Sequence, residues 1–365
     1  MGGPLRIGVI GVGKISEQYF AEFPKLPGLR LVAVADLDKD RAAAVASEQG
    51  VAARTVDELI ASDDVDAVLN LTIPAAHAEI ALRALEAGKH VYGEKPLALN
   101  PGEARPVLAL ARERGLRVGS APDTVLGTGV QTSRRLLDSG EIGTPVAATA
   151  FWTAPGHELW HPAPQFYYLP GGGPLFDMGP YYLSALVTLL GPVVRVSGTT
   201  GRSARERTVE TGQLAGTVLT VDVDTHVSAL LEHASGVTST VMVSFDVWAA
   251  RLPHIEVYGT QGTIAVPDPN QFTNSAELWT SDDRQWRTVP TSAGYADAGR
   301  GYGLADMARA IETDRPHRAS AELAFHVLEI MDAVVHAGDH HVVVELLSTV
   351  ERPALVPFNS TPDTW

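Results

Sequence analysis

An acid and an amine stand side by side where a short apolar run meets a proline, in His90-Val-Tyr-Gly-Glu94-Lys95-Pro96-Leu-Ala-Leu-Asn100. An amine so placed can take or give a proton, and a neighbouring carboxylate can orient it. A second chemically suggestive stretch is Gly8-Val-Ile-Gly11-Val-Gly13-Lys14-Ile15-Ser16, where an apolar run ends in glycines and gives way to helical spacing. In a strand-turn-helix of this type Gly11 permits the turn and Gly13 lets the backbone approach a pyrophosphate. The helix start, with Lys14 and Ile15, offers N–H groups and the positive end of its dipole. Ser16 stands where a third glycine would complete the pattern. A glycine pair after a strand also serves as a plain turn, so the context decides. The run Leu29 to Ala35 ends at Asp36, 25 residues after Gly11. A carboxylate there accepts both hydrogen bonds from an adenosine ribose, which favours NAD over NADP. The competing reading is that Asp36 caps the helix beginning near Asp38.

The third stretch is a long loop, His157-Glu-Leu-Trp160-His161-Pro-Ala-Pro-Gln-Phe-Tyr167-Tyr168-Leu-Pro-Gly-Gly-Gly173. Aromatic faces beside hydrogen-bonding groups suit the apolar faces and hydroxyls of a sugar ring, so Trp160, His161 and Tyr167 are candidate substrate contacts. The alternative is that Trp160, Tyr167 and Tyr168 clamp the loop to the body of the protein. In the helix that follows, Asp177, Tyr181 and Ser184 recur at helical spacing and share a face. Asp177 has a structural alternative as a helix N-terminal acid, and Tyr181 one in plain packing.

The elements that position these residues alternate strictly over the first third: helices at 38–49, 55–61, 75–87 and 101–114, and strands at 66–71, 89–92 and 116–119. Asn100 as N-cap and Pro101 at the first helical position mark one start. Such alternation predicts a Rossmann-type, doubly wound parallel sheet, whose ligands sit beyond the carboxyl ends of the strands. Three loops leave those ends, at 11–16, 72–77 and 93–97, so Glu94 and Lys95 are expected to face the cofactor. Beyond Ser120 a helix over 127–139 is followed by strand-like segments at 144–152, 193–200, 216–222, 225–232, 237–245, 254–259 and 262–266, with helices again at 303–313 and 320–338. We read two domains: residues 1–122 bind NAD(P), and residues 123–365 form an α+β substrate-binding domain with a large, mostly antiparallel open sheet. His336, His340 and His341 lack the carboxylate spacing of a metal site and read as a polar helix end; no metal is expected.

Composition narrows the function. A net charge of −15 argues against a nucleic-acid footprint, and 45% hydrophobic residues suffice for two cores. The absence of Cys excludes disulfides and thiolate chemistry and fits a reducing compartment. The first residues run straight into a strand pattern without a signal peptide's regions, and no run is long enough to span a membrane, so a cytoplasmic protein is expected.

Taken together, Gly11-Val-Gly13, Asn70-Leu-Thr72-Ile-Pro74-Ala-Ala-His77, Glu94-Lys95-Pro96 and Gly171-Gly-Gly-Pro-Leu-Phe-Asp177-Met-Gly179 resemble the glucose-fructose oxidoreductase, inositol dehydrogenase and MocA (Gfo/Idh/MocA) family in order and spacing over nearly the whole chain. The resemblance implies an NAD(P)-dependent enzyme acting mostly on sugars, polyols or their derivatives. It also implies Lys95 in the site, Glu94-Lys95-Pro96 beside the nicotinamide, and Thr72, Pro74 and His77 along the pyrophosphate or ribose. His77 retains the alternative of a helix-start residue without a ligand. The family's large sheet usually joins subunits, so a homodimer or homotetramer is expected.

One departure from the family bears on mechanism. The usual pattern has His where Tyr181 stands and an acid where Ser184 stands. Oxidation of an alcohol needs a base for the hydroxyl proton, and a phenol titrates near pH ~10 where imidazole titrates near neutrality. Three repairs are open: Lys95 as base, with Asp177 orienting substrate or relaying a proton; Tyr181 with its proton loosened by Lys95; or His161 or His157 from the loop. Lys95 is the preferred proton-transfer group, with Asp177 and Tyr181 as hydrogen-bonding partners and His161 in reserve. Two other functions compete with a dehydrogenase. One is an NAD-retaining glycosidase or lyase that oxidises transiently and eliminates; the other is a non-catalytic NAD or sugar sensor.

Overall fold

The structure is a computed structural model that describes residues 3–364. The chain divides into two compact units. One is the chain up to Thr128 with Ala293–Phe325 and the stretch from Pro353 onward; the other is Gly129–Ser292 with His326–Arg352.

In the first unit β1 (Leu5–Ile10), α1 (Lys14–Glu22), β2 (Leu29–Ala35), α2 (Lys39–Gln49), β3 (Ala52–Arg54), α3 (Val56–Ala61), β4 (Ala67–Asn70), α4 (His77–Glu86), β5 (His90–Gly93), α5 (Pro101–Arg114) and β6 (Val118–Ser120) follow one another along the chain. Among the described residues they build a parallel six-stranded sheet in the order β3-β2-β1-β4-β5-β6. A sheet covered on both faces needs strands apolar at successive positions, and Val34, Ala35, Ala67, Val68 and Leu69 are wholly buried. In this sheet β3 escapes sequence reading: Ala52-Ala-Arg54 is short and carries no bulky apolar residue to mark a strand. The strand order reverses between β1 and β4, the switch point at whose carboxyl edge sheets of this kind bind ligands.

The second unit contains nearly all of α6 (Thr128–Asp138), then β7 (Pro145–Thr153), α7 (Gly173–Leu190), β8 (Val193–Gly201), β9 (Glu206–Thr208), β10 (Val218–Thr220), β11 (His226–His233), β12 (Thr238–Ser244), β13 (Ile255–Gly259), β14 (Gly262–Val266), β15 (Glu277–Thr280) and β16 (Arg287–Thr288). The chain then forms α8 (Tyr302–Thr313) in the first unit, α9 (Ala321–His340) running from the first into the second, and β17 (Val344–Glu345) in the second. Among the described residues nine strands make one sheet, β16-β15-β14-β13-β7-β12-β11-β8-β17, antiparallel except where β12 runs parallel to β7. α7 packs on β12, β11 and β7 and is buried along most of its length, as a helix apolar on all sides must be. The other face of the sheet shows its outward residues to solvent, among them Leu230 and, paired with it, Thr240.

This division differs from a single cut after residue 122, because the chain returns to the first unit twice. The wholly buried Asp123 carboxylate accepts the Gly301 and Gly303 N–H groups at 2.9 and 3.1 Å, and the Ser120 N–H donates to the Ala319 carbonyl at 3.1 Å. Arg318, 2% exposed, pairs with the buried Asp306, and its Nε donates to the Ala354 carbonyl at 2.8 Å. Partners almost 180 residues apart leave no local trace in a sequence.

Candidate active site

The loops leaving β1, β2, β4 and β5 at the carboxyl edge of the six-stranded sheet are tied to one another. Gly11 has φ +91°, and a Cβ there would lie 2.7 Å from the Leu71 carbonyl oxygen, so glycine is required twice over. The Val12 N–H donates to Asp36 Oδ2 at 2.8 Å. Asn70, at the end of β4, accepts from the Thr72 hydroxyl at 2.6 Å and donates to the His77 carbonyl at 3.1 Å, which shapes the loop between them. His77 is 3% exposed, with Nδ1 2.6 Å from the Pro96 carbonyl and Nε2 3.0 Å from the Thr72 carbonyl. The ring therefore staples the loop after β4 to the loop after β5. Burial lowers its pKa, with the two carbonyl contacts opposing.

Glu94 is buried and turned inward. Its Oε1 accepts the Tyr19 hydroxyl at 2.8 Å and its Oε2 the Lys95 N–H at 3.1 Å, which fixes the backbone that presents half-buried Lys95. Burial pushes the Glu94 carboxyl upward, but the charges of Arg300 and Lys95 and these hydrogen bonds outweigh it and hold it below its ordinary value. The Lys95–Pro96 bond is cis. Glu94 was expected to face the cofactor; the structure gives it the part of an internal anchor for its neighbour.

Several features fit a dinucleotide. Gly13 caps α1 with no side-chain hydrogen bond, and a Cβ on Gly13 would meet nothing within 4 Å, so the helix start faces open space. Ser16, in the third-glycine place, turns its hydroxyl back on the Gly13 carbonyl at 2.7 Å and is 1% exposed. Exposed Lys14 and half-buried Ile15 begin the helix, while half-buried Thr72 and Pro74 flank exposed Ile73. Asp36 does not cap α2, a role held by Asp38, whose side chain accepts the Arg41 N–H. Its Oδ1 instead accepts the Asp38 N–H at 2.9 Å and Arg41 Nη2 at 2.7 Å. Burial would raise its pKa, but Arg41 and the two N–H groups prevail and lower it. Arg41 and Tyr19 are contributors that motif reading passed over, while Asn70 stands in its motif with no role assigned; of the first two only Arg41 had a local signal, lying five residues beyond Asp36.

In the second unit the loop between β7 and α7 brings His157 to Asp177, with Nε2 3.0 Å from Oδ2. Asp177 and Tyr181 lie one helical turn apart on α7, and Tyr181 is 4% exposed. Gly173, at the head of α7, has φ +81°, and a Cβ there would lie 2.9 Å from the Asp224 carbonyl oxygen. His161 lies a turn beyond His157 and accepts the Ala163 N–H on Nδ1 at 3.1 Å. The loop's base is a buried charge network. Arg207 Nη1 donates to Glu158 at 2.7 Å and Nη2 pairs with Asp246, while the Tyr168 hydroxyl donates to Glu158. Tyr168 is wholly buried with Val209, Leu219, Val221 and Phe245, so of the three aromatic residues weighed as clamps it is one. Tyr167 is half-buried against that core, and Trp160 is 59% exposed.

The stacked His336 and His340 rings sit 4.2 Å apart, and among the described residues no group of three His, Cys, Asp or Glu side chains is disposed to hold a metal ion. Nor is any helix of the described residues long and apolar enough to cross a membrane.

Comparison with known proteins agrees with this geometry. The model of the oxidoreductase family with an NAD-binding Rossmann fold, GFO/IDH/MocA, matches residues 5–121, and the GFO/IDH/MocA C-terminal domain matches residues 130–265. The dTDP-3,4-didehydro-2,6-dideoxy-alpha-D-glucose 3-reductase of Streptomyces violaceoruber is 37% identical over 238 residues, 63% of this chain and 68% of that protein. The D-xylose 1-dehydrogenase (NADP(+)) 2 of Haloferax volcanii is 28% identical over 352 residues, 94% of this chain and 100% of that protein. A solved structure of levoglucosan dehydrogenase in its apo form matches with a TM-score of 0.81 at 21% identity, covering 95% of this chain and 100% of that one, which bears on the fold. The chain belongs to the Gfo/Idh/MocA family of oxidoreductases, and its residues 5–121 are that family's NAD-binding Rossmann fold.

Proposed function

We propose that the protein is an NAD-dependent oxidoreductase that interconverts a secondary alcohol and a ketone on a sugar, glycoside or cyclitol. The observation that carries this reading is the joining of three loops at one sheet edge: the uncapped Gly11–Ile15 turn, the Thr72–His77 segment and the Glu94–Pro96 segment that presents Lys95. A nicotinamide dinucleotide bound there supplies the hydride acceptor or donor. Gly11, Gly13, Lys14 and Ile15 would hold its pyrophosphate, Asp36 a ribose, and Thr72, Pro74 and Lys95 the remainder of the groove, with His77 and Glu94 anchoring the loops that carry them. The two Asp36 oxygens favour NAD, since a 2′-phosphate would meet a carboxylate.

Lys95 Nζ takes the hydroxyl proton when an alcohol is oxidised and returns it when a ketone is reduced. In the second unit Asp177 and Tyr181 are hydrogen-bonding partners for the substrate, and His161 is the reserve proton carrier. Trp160, His161 and Tyr167 contact the sugar; the exposed Trp160 and Phe166 offer ring faces of the kind a pyranose covers. The Streptomyces relative is named for reducing a didehydro-dideoxy-glucose carried on dTDP, so ketones on sugar rings are the first substrates to try. The exposed Leu230 on the face of the nine-stranded sheet away from α7 supports a homodimer or homotetramer formed through that sheet, and a cytoplasmic location accords with a chain without Cys.

The test is a panel of sugars, glycosides, cyclitols and keto-sugars followed by absorbance of NADH and NADPH. Turnover of a ring alcohol or ketone with NAD(H) is expected. Cleavage of a glycoside without net change in NADH would replace this reading with the eliminating glycosidase.

A further inference from the structure

We infer that His157 is a positioning residue for the reaction, which holds the Asp177 carboxylate in a fixed plane and so supplies from a loop the imidazole that α7 lacks at Tyr181. The inference rests on the dehydrogenase reading above. Its geometric basis lies within one unit. His157 Nε2 is 3.0 Å from Asp177 Oδ2, and the two side chains are 6% and 14% exposed. A carboxylate only accepts, so the imidazole proton of this bond sits on Nε2. The ring cannot swing away, because Tyr167, Phe245 and Trp160 stand around it at centroid distances of 4.1, 4.5 and 5.1 Å.

Nδ1 is buried and among the described residues has no hydrogen-bond partner. A proton there would be a buried donor with nothing to receive it, so the chamber favours the tautomer that carries its proton on Nε2. Such a ring cannot abstract the substrate proton itself, since its one free lone pair points into aromatic walls. What it can do is fix Oδ2, and because a carboxylate is planar, fixing one oxygen orients the other. The backbone beneath is equally constrained. The His157 N–H donates to the Tyr168 hydroxyl at 3.1 Å, and that hydroxyl donates in turn to Glu158, which Arg207 holds.

Two variants separate positioning from packing. His157→Phe keeps a flat ring among the aromatic residues but has no donor, whereas His157→Gln places an amide N–H where Nε2 stood. We expect His157→Phe to lower kcat roughly 100-fold, with the KM for the nicotinamide cofactor unchanged, and His157→Gln to recover about tenfold of that loss. A His157→Phe enzyme with kcat within about twofold of the parent would overturn the inference, as would equal kcat losses in both variants. A measurement without turnover stands beside these: 15N NMR of the resting protein should show the His157 proton on Nε2, with the signal displaced in Asp177→Asn. A proton found on Nδ1 sinks the proposal even if neither variant folds. If the parent enzyme turns over no sugar or keto-sugar, the dehydrogenase reading fails and the positioning role with it, while an Nε2-protonated ring would leave the pairing itself standing.

Discussion

Asp36 and Arg41 form an ion pair 2.7 Å long just beyond the end of β2, with the carboxylate 7% exposed and the guanidinium 49%. A ribose hydroxyl that bonds Asp36 must share it with Arg41, and a 2′-phosphate would meet attraction from one partner and repulsion from the other. Asp36→Ser should therefore raise the KM for NAD by about 10- to 100-fold, the worth of a hydrogen bond to a charged group, and shift preference toward NADP. Initial rates with both cofactors check this; a variant that keeps its parent's preference for NAD contradicts the role given to Asp36.

Lys95 follows an anchored Glu94, so its removal should leave the cofactor groove intact. Lys95→Ala is expected to lose about 10²- to 10⁴-fold in kcat, the range for a group that transfers a proton. NADH fluorescence should still report binding. Undiminished turnover would transfer the proton to Tyr181 or His161.

Arg207 carries the charge at the base of the substrate loop. It is 10% exposed and pairs with Glu158 and Asp246, themselves 8% and 13% exposed. Arg207→Met leaves two buried carboxylates without their cation and should cost about 3–5 kcal/mol, read as a fall in the urea midpoint. Arg83→Ala, which removes an exposed partner of Asp57, should cost only about 0–1 kcal/mol.

His326 makes acid stability measurable at one residue. Its Nε2 accepts the Val193 N–H at 3.0 Å, Nδ1 lies 2.7 Å from the Ser348 hydroxyl, and burial pushes the ring down to about 4. An unfolded histidine titrates near pH ~6.5, so below that the unfolded chain binds a proton that the native chain refuses. Stability is then complete above pH ~6.5 and is lost as the pH falls toward 4, by on the order of 3 kcal/mol from this residue. His77, His233 and His317 are shifted in the same direction by burial and add to the slope. Urea midpoints from pH 7 to pH 4 should fall steeply for the parent and less for His326→Gln, which keeps an acceptor but does not titrate.

Much of this was legible because it is written in short-range order. Gly11, Gly13, Asp36 and the alternating apolar runs announce a doubly wound sheet, and the Tyr258-to-Gly262 turn announces the hairpin that β13 and β14 form with Tyr258 opposite Thr263. What stayed hidden depends on partners far apart in the chain. Glu94 reads as a site carboxylate until Tyr19 is found on it, 75 residues away. His157 stood behind His161 as a loop base until the fold set it on Asp177. Arg207, Glu158 and Asp246 are unremarkable charges in the sequence, and only the packing around Tyr168 makes a buried network of them.

The loop between β7 and α7 has a stiff root and an open tip. Arg207, Glu158 and Tyr168 secure it from below, whereas Phe166 and Leu169 at 53% and 44% exposure contribute little to holding it. Residues that meet a sugar can thus be exchanged while the anchor and the chemistry beneath are retained. A lineage that keeps the root and varies the tip can explore new carbohydrates by single substitutions without passing through unfolded intermediates, and directed evolution of this protein has its natural starting positions there.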